Sequence, residues 1–161
     1  VSREMHPLRR HFFAAARESD PDVFQAYHET SRGFGAALVE TDWVSAAAAF
    51  FTVWGDGRPW NALSEKEQTA FCTKMPFIAE TEPCLFEDDK TLLEPGRLER
   101  ITCQTRLIRG SKTEPVIEAI HRTLERRIPN AVDVVVDGAG HMVPITHPDQ
   151  VARIIAEIIS G

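Results

Sequence analysis

Cysteine is scarce in this sequence, with three in 161 residues: Cys72, Cys84 and Cys103. The number is odd and no two stand in C-x-x-C spacing, which argues against a disulfide framework or a cysteine zinc site. It fits reduced thiols in a cytoplasmic setting. Long apolar runs are missing too. The longest, Ala46–Trp54, falls far short of the ~20 residues that span a bilayer. Val1–Arg10 is charged and lacks the apolar segment of a signal peptide. Positive charge is in the minority, with 18 Lys and Arg against 24 Asp and Glu, and the net charge of −6 argues against a general nucleic-acid binder. The histidines (6, 11, 28, 121, 141 and 147) form no H-x-x-x-H pair and no cluster with cysteine, so no metal is expected. A phosphate-cradling glycine loop is absent as well, which argues against a nucleotide enzyme; no cofactor is expected.

What remains is ordinary globular material, 43% hydrophobic and 26% charged, in a chain long enough for one domain with a real core. The first hundred residues contain nothing that alternates like a strand. Pro7–Glu18 has a helical apolar face of Leu8, Phe12 and Ala15 or Ala16. Ser19-Asp20-Pro21-Asp22 is a turn and helix start, and Val23–Val39 follows as helix, with Gly33 and Gly35 as the weak point or break. Thr41 or Asp42 caps an apolar helix over Trp43–Trp54, and Gly55–Pro59 is a loop. Ser64 and Glu67 form a capping box that opens a helix to about Met75. Glu80–Arg100, punctuated by Pro83, Pro95 and Gly96, is expected to be a connector with at most one short helix.

From Ile101 the pattern changes. Ile101–Ile108 and Val132–Val136 have strand character, and Thr113–Ile128 between them has helical periodicity. Two strands joined through a helix make a parallel βαβ unit. Arg122, Arg126 and Arg127 gather near that helix's C-terminus, where a solvated face favoured by the helix dipole is expected. After the second strand, Asp137-Gly138 turns the chain and Gly140-His141 follows. Val151, Ile154, Ile155, Ile158 and Ile159 then form the stripe of an amphipathic helix. A histidine on a glycine-loosened loop beyond a buried strand stands where open α/β sheets place their chemistry. Two parallel strands leave apolar faces and edges uncovered, so this sequence asks for further strands.

Strand, Gly138-Ala139-Gly140-His141, proline-containing loop and apolar helix resemble the last strand, catalytic-histidine loop and last helix of the α/β-hydrolases, and Leu107–Gly110 resembles the preceding strand. The resemblance implies an α/β fold in which residues 101–161 are the C-terminal βαβα part of the hydrolase core and residues 1–100 a helical lid. It implies His141 as general base of an esterase- or lipase-like serine hydrolase acting on a small-molecule acyl substrate. Trp54, Trp60 and Met142 are then the candidates for binding that substrate, although aromatic residues at helical spacing also serve as core. The family's acid position falls on Thr113. Glu114, one place later, is the candidate within this chain, and a carboxylate outside it is at least as good. The family's nucleophile motif, G-x-S-x-G, does not occur; Ser111 comes nearest, with Thr113 where the second glycine belongs. The nucleophile-bearing front half is therefore expected as a further partner, covalently attached or as another chain. A non-catalytic relative that binds a small apolar ligand or a partner protein is the alternative.

Overall fold

The computed structural model describes residues 12–86 and 93–160. Six helices come first: α1 (Phe12–Ser19), α2 (Pro21–Thr30), α3 (Arg32–Val39), α4 (Trp43–Trp54), α5 (Glu65–Cys72) and α6 (Met75–Phe86). Then β1 (Thr105–Gly110), α7 (Pro115–Arg127) and β2 (Ala131–Val136) form the βαβ unit, and α8 (Val143–Thr146) and α9 (Pro148–Ser160) follow. The architecture is mixed α/β, mostly helical, with a two-stranded parallel sheet. Thr105 stands opposite Ala131, and Gly110 opposite Val136.

Side chains set most of the helix starts. Asp20 accepts a hydrogen bond from the Val23 amide at 3.1 Å, and Asp42 accepts one from Ser45 at 3.1 Å, each satisfying an otherwise orphaned N–H. Ser64 and Glu67 make the reciprocal capping box, the Ser64 amide donating to Glu67 Oε2 at 2.8 Å. Three local expectations are corrected. The break between α2 and α3 falls at Ser31, whose hydroxyl donates to the His28 carbonyl at 2.9 Å, and both glycines lie inside α3. A full helix, α6, occupies Met75–Phe86 and continues through Pro83, where a helix break is the simpler reading. β1 starts at Thr105 rather than Ile101, because pairing begins where the Thr105 amide reaches the Asn130 carbonyl at 3.0 Å. Of the helix expected over Pro7–Glu18, residues 7–11 lie outside the described residues.

Alternation along the strands separates two faces. Leu107 and Ala131 pack with α7, in a core that also takes Phe13, Phe24, Leu98, Ile120 and Leu124. Ile108 and Val136 pack on the opposite face against Val151 and Ile154 of α9. The first core draws on both sides of residue 100. Ala15 and Ala16 bring α1 close to α7, and two hydroxyls cross the contact: Ser19 donates to the Ala119 carbonyl at 2.5 Å and Thr123 to the Ala15 carbonyl at 2.7 Å. Arg127 departs from the solvated face expected of it. It pairs with Glu99 at 2.9 Å and Glu18 at 3.1 Å, and it donates to the carbonyls of Leu93 and Glu94. The sheet itself is thinly covered. Val132 and Val135 are almost half exposed, and α9 buries no residue fully despite its isoleucine stripe.

Candidate functional site

The loops that leave β1 and β2 are stitched together. The Ser111 amide donates to the Val136 carbonyl at 3.0 Å, and the Lys112 amide to the Ala139 carbonyl at 2.9 Å. The Ser111 hydroxyl donates to Asp137 Oδ1 at 3.1 Å and accepts from the Gly138 amide at 2.8 Å. Gly138 has a φ of +76°, the left-handed conformation that a turn glycine supplies without strain. Gly110 is needed for another reason. A Cβ on it would overlap the backbone of Ala139 and Gly140, so only glycine lets the histidine loop lie across the end of β1. These contacts hold His141 just beyond the C-terminal end of the sheet.

His141 lines a cavity of about 400 Å³. Its walls are mainly aromatic and aliphatic: Phe13, Tyr27, Phe34, Phe50 and Trp54 come from the helices, and Ile108, Ile117 and Ile120 from the βαβ unit. The imidazole meets the Trp54 ring edge-on, with centroids 4.7 Å apart. Crowding on that side disfavours the charged ring and lowers its pKa below the usual 6.5. The other side stays open to solvent, which moderates the effect. Ile108, Arg109 and Gly110 all line the cavity. These are the last three residues of β1, so the cavity lies at the C-terminal end of that strand.

The remaining sequence candidates are spread around this cavity. Trp54 lies in its wall and also packs on Phe13 and Tyr27. Trp60 is not among the lining residues; it packs edge-to-face on Phe51 and Phe71. Met142, half-buried, occupies the N-cap of α8. Glu114 sits at the N-cap of α7, makes no side-chain capping bond, and lines a smaller neighbouring cavity of about 190 Å³ together with Trp54. Among the described residues, no carboxylate forms a hydrogen bond or ion pair with His141. Asp137 is engaged by Ser111, and His147 by Thr146 at 2.8 Å.

Two features escape sequence reasoning. Arg109, His121 and Asp133 form a polar cluster between α7 and the sheet, with Asp133 Oδ2 2.9 Å from Arg109 Nε and Oδ1 2.7 Å from His121 Nδ1. Strand parity puts Arg109 and Asp133 on the α7 face, and helical spacing aligns His121 with Glu118 and Glu125; these are weak signals until the packing direction is known. The second feature is Thr113. It lines the large cavity, and its Oγ1 is buried without a hydrogen-bond partner.

Protein-family models, curated proteins and solved structures give no match to this chain. Among the described residues there is no group of three or more side chains able to hold a metal ion, and no helix is long and apolar enough to cross a membrane. Chemically, the site offers a near-neutral base at the mouth of an apolar cavity. It lacks an activated nucleophile among the described residues.

Proposed function

We propose that this chain supplies the histidine and the lid of an α/β-hydrolase active site that cleaves ester or related acyl substrates. The observation that carries the reading is the placement of His141: past the C-terminal end of a parallel strand, against Trp54, at an apolar cavity large enough for a small acyl group. In this role the imidazole takes the proton from a serine hydroxyl as the oxygen attacks the acyl carbon, then returns it to the departing alkoxide. Burial favours the neutral ring, the form a base requires. The serine and its oxyanion hole come from a front half that extends the sheet from the free edge of β1. Helices α1 to α6 act as the lid, with Trp54 facing the substrate. The carboxylate that orients His141 is supplied from outside the described residues or by a rearranged Glu114.

A serine-directed fluorophosphonate should label the intact protein, and p-nitrophenyl esters should be hydrolysed with saturation kinetics that His141→Ala abolishes. Turnover indifferent to His141→Ala overturns the assignment. The second reading, a non-catalytic member of the fold, is favoured by the lack of a carboxylate on His141 among the described residues. It predicts that apolar ligands bind while the fluorophosphonate leaves the protein unlabelled.

A further inference from the structure

Glu114 orients no histidine and makes no capping bond to α7. Among the described residues its carboxylate has no hydrogen bond and no ion pair. It is not shut away, however. Thr113 Oγ1 is the one buried, unpaired side-chain oxygen or nitrogen among those residues, so solvent reaches the half-buried Glu114. A carboxylate held by nothing turns about its own side-chain torsions, and it can meet whatever enters the cavity that its residue lines. That cavity, about 190 Å³, is lined by Phe34, Phe50 and Trp54 and by two hydroxyl residues, Thr30 and Ser31. Both hydroxyls are already committed as donors. Thr30 donates to the Ala26 carbonyl and Ser31 to the His28 carbonyl, each at 2.9 Å, which leaves their oxygens as acceptors.

We propose that this smaller cavity is a binding site for an organic ammonium ion, with Glu114 as its counter-charge. The ligand class is a primary amine on a short aryl or alkyl body. An ammonium group carries one positive charge and three N–H donors, and the cavity offers one negative charge and two committed acceptors, Thr30 and Ser31. The hydrocarbon body matches Phe34, Phe50 and Trp54, which line both this cavity and the one beside His141. Aromatic rings also attract a cation through their negative faces. Other ligand classes fit less well. An anion would meet like charge from Glu114, and a wholly apolar molecule would take water from the carboxylate and return no partner. The inference goes beyond the hydrolase reading and does not depend on it, since neither His141 nor a nucleophile takes part.

The test uses two probes alike in length and body but different in charge, 3-phenylpropan-1-amine and 3-phenylpropan-1-ol. Each is titrated calorimetrically into the intact protein and its Glu114→Gln variant. Glu114→Gln keeps the shape, removes the charge and breaks no bond among the described residues, so its Tm without ligand should match the parent's. The amine should bind about tenfold more weakly to Glu114→Gln, while the affinity of the alcohol stays the same. Added salt should weaken the amine and spare the alcohol. Equal losses for both probes overturn the proposal, as does an amine indifferent to Glu114→Gln or one that the parent does not bind. Neither probe reacts, so the result stands apart from hydrolysis. A protein that binds the amine through Glu114 yet never cleaves esters loses the hydrolase reading and keeps this one; His141-dependent ester cleavage with an amine indifferent to Glu114→Gln does the reverse.

Discussion

The imidazole of His141 stands edge-on to the indole of Trp54, with ring centroids 4.7 Å apart and planes inclined by 69°. The contact joins the helical layer to the loop beyond β2, two parts of the chain almost ninety residues apart. It limits how far the imidazole can turn, and it supplies the low-polarity side that favours the neutral ring.

The pH dependence follows from that burial. The folded-state pKa of His141 lies below the ordinary 6.5, so the unfolded chain binds more protons between the two values. Stability should therefore rise as pH increases through this window and fall again on acidification, and His141→Asn should flatten that segment of a Tm-against-pH curve. Ester turnover should keep its full rate to a lower pH than an ordinary histidine allows. An acidic limb of kcat/KM centred above 6.5 would contradict the burial argument.

Trp54 and Trp60 should respond differently to truncation. Trp54 lines the cavity and Trp60 packs on Phe51 and Phe71 away from it. Trp54→Ala should weaken ligand binding and raise KM severalfold along with a loss of stability. Trp60→Ala should lower Tm with the ligand affinity of the folded protein unchanged. A fully buried ring costs roughly 3–5 kcal/mol on truncation, and the half-buried Trp60 should cost less. A changed chain-length preference in Trp60→Ala would bring that ring back into the binding site.

Glu114 is separated from His141 as a hydrogen-bond partner, so Glu114→Gln should change kcat by less than tenfold. A true orienting carboxylate behaves otherwise; its amide substitution costs orders of magnitude while the fold survives. A loss on that scale with unchanged Tm would place the Glu114 carboxylate on His141 in the working enzyme.

Gly110→Ala tests the stitch between the two loops. The added methyl overlaps the backbone of Ala139 and Gly140, which cannot yield as a flexible side chain can. Stability should fall by roughly 1–3 kcal/mol, as overpacking does. Activity measured well below the new Tm should fall further than the fraction unfolded explains, because the displaced segment carries His141. Unchanged activity in a stable variant would show that the loop tolerates displacement.

Much of the local structure was legible in the residues alone. Asp42 and the span of α4, the Ser64–Glu67 capping box, the βαβ order and the amphipathic α9 all follow from interactions within a few residues, so sequence neighbours determine them. The position of His141 on a loop after a strand was legible for the same reason, but the burial expected of that strand holds only for Val136. α6 was not, because Pro83 is a breaker by local preference, yet the helix runs through it while Met75, Ile78 and Ala79 pack in the helical layer. Arg127 was misread because a helix-terminal arginine is usually solvated, and its partners Glu18, Glu99 and the Leu93 carbonyl are remote in sequence or beyond a turn. Tertiary structure alone decided which of two tryptophans meets the histidine, why residue 110 must be glycine, and that the Thr113 hydroxyl is buried without a partner. Each of these depends on how segments distant in the chain approach one another. Periodicity and capping carry no information about that approach.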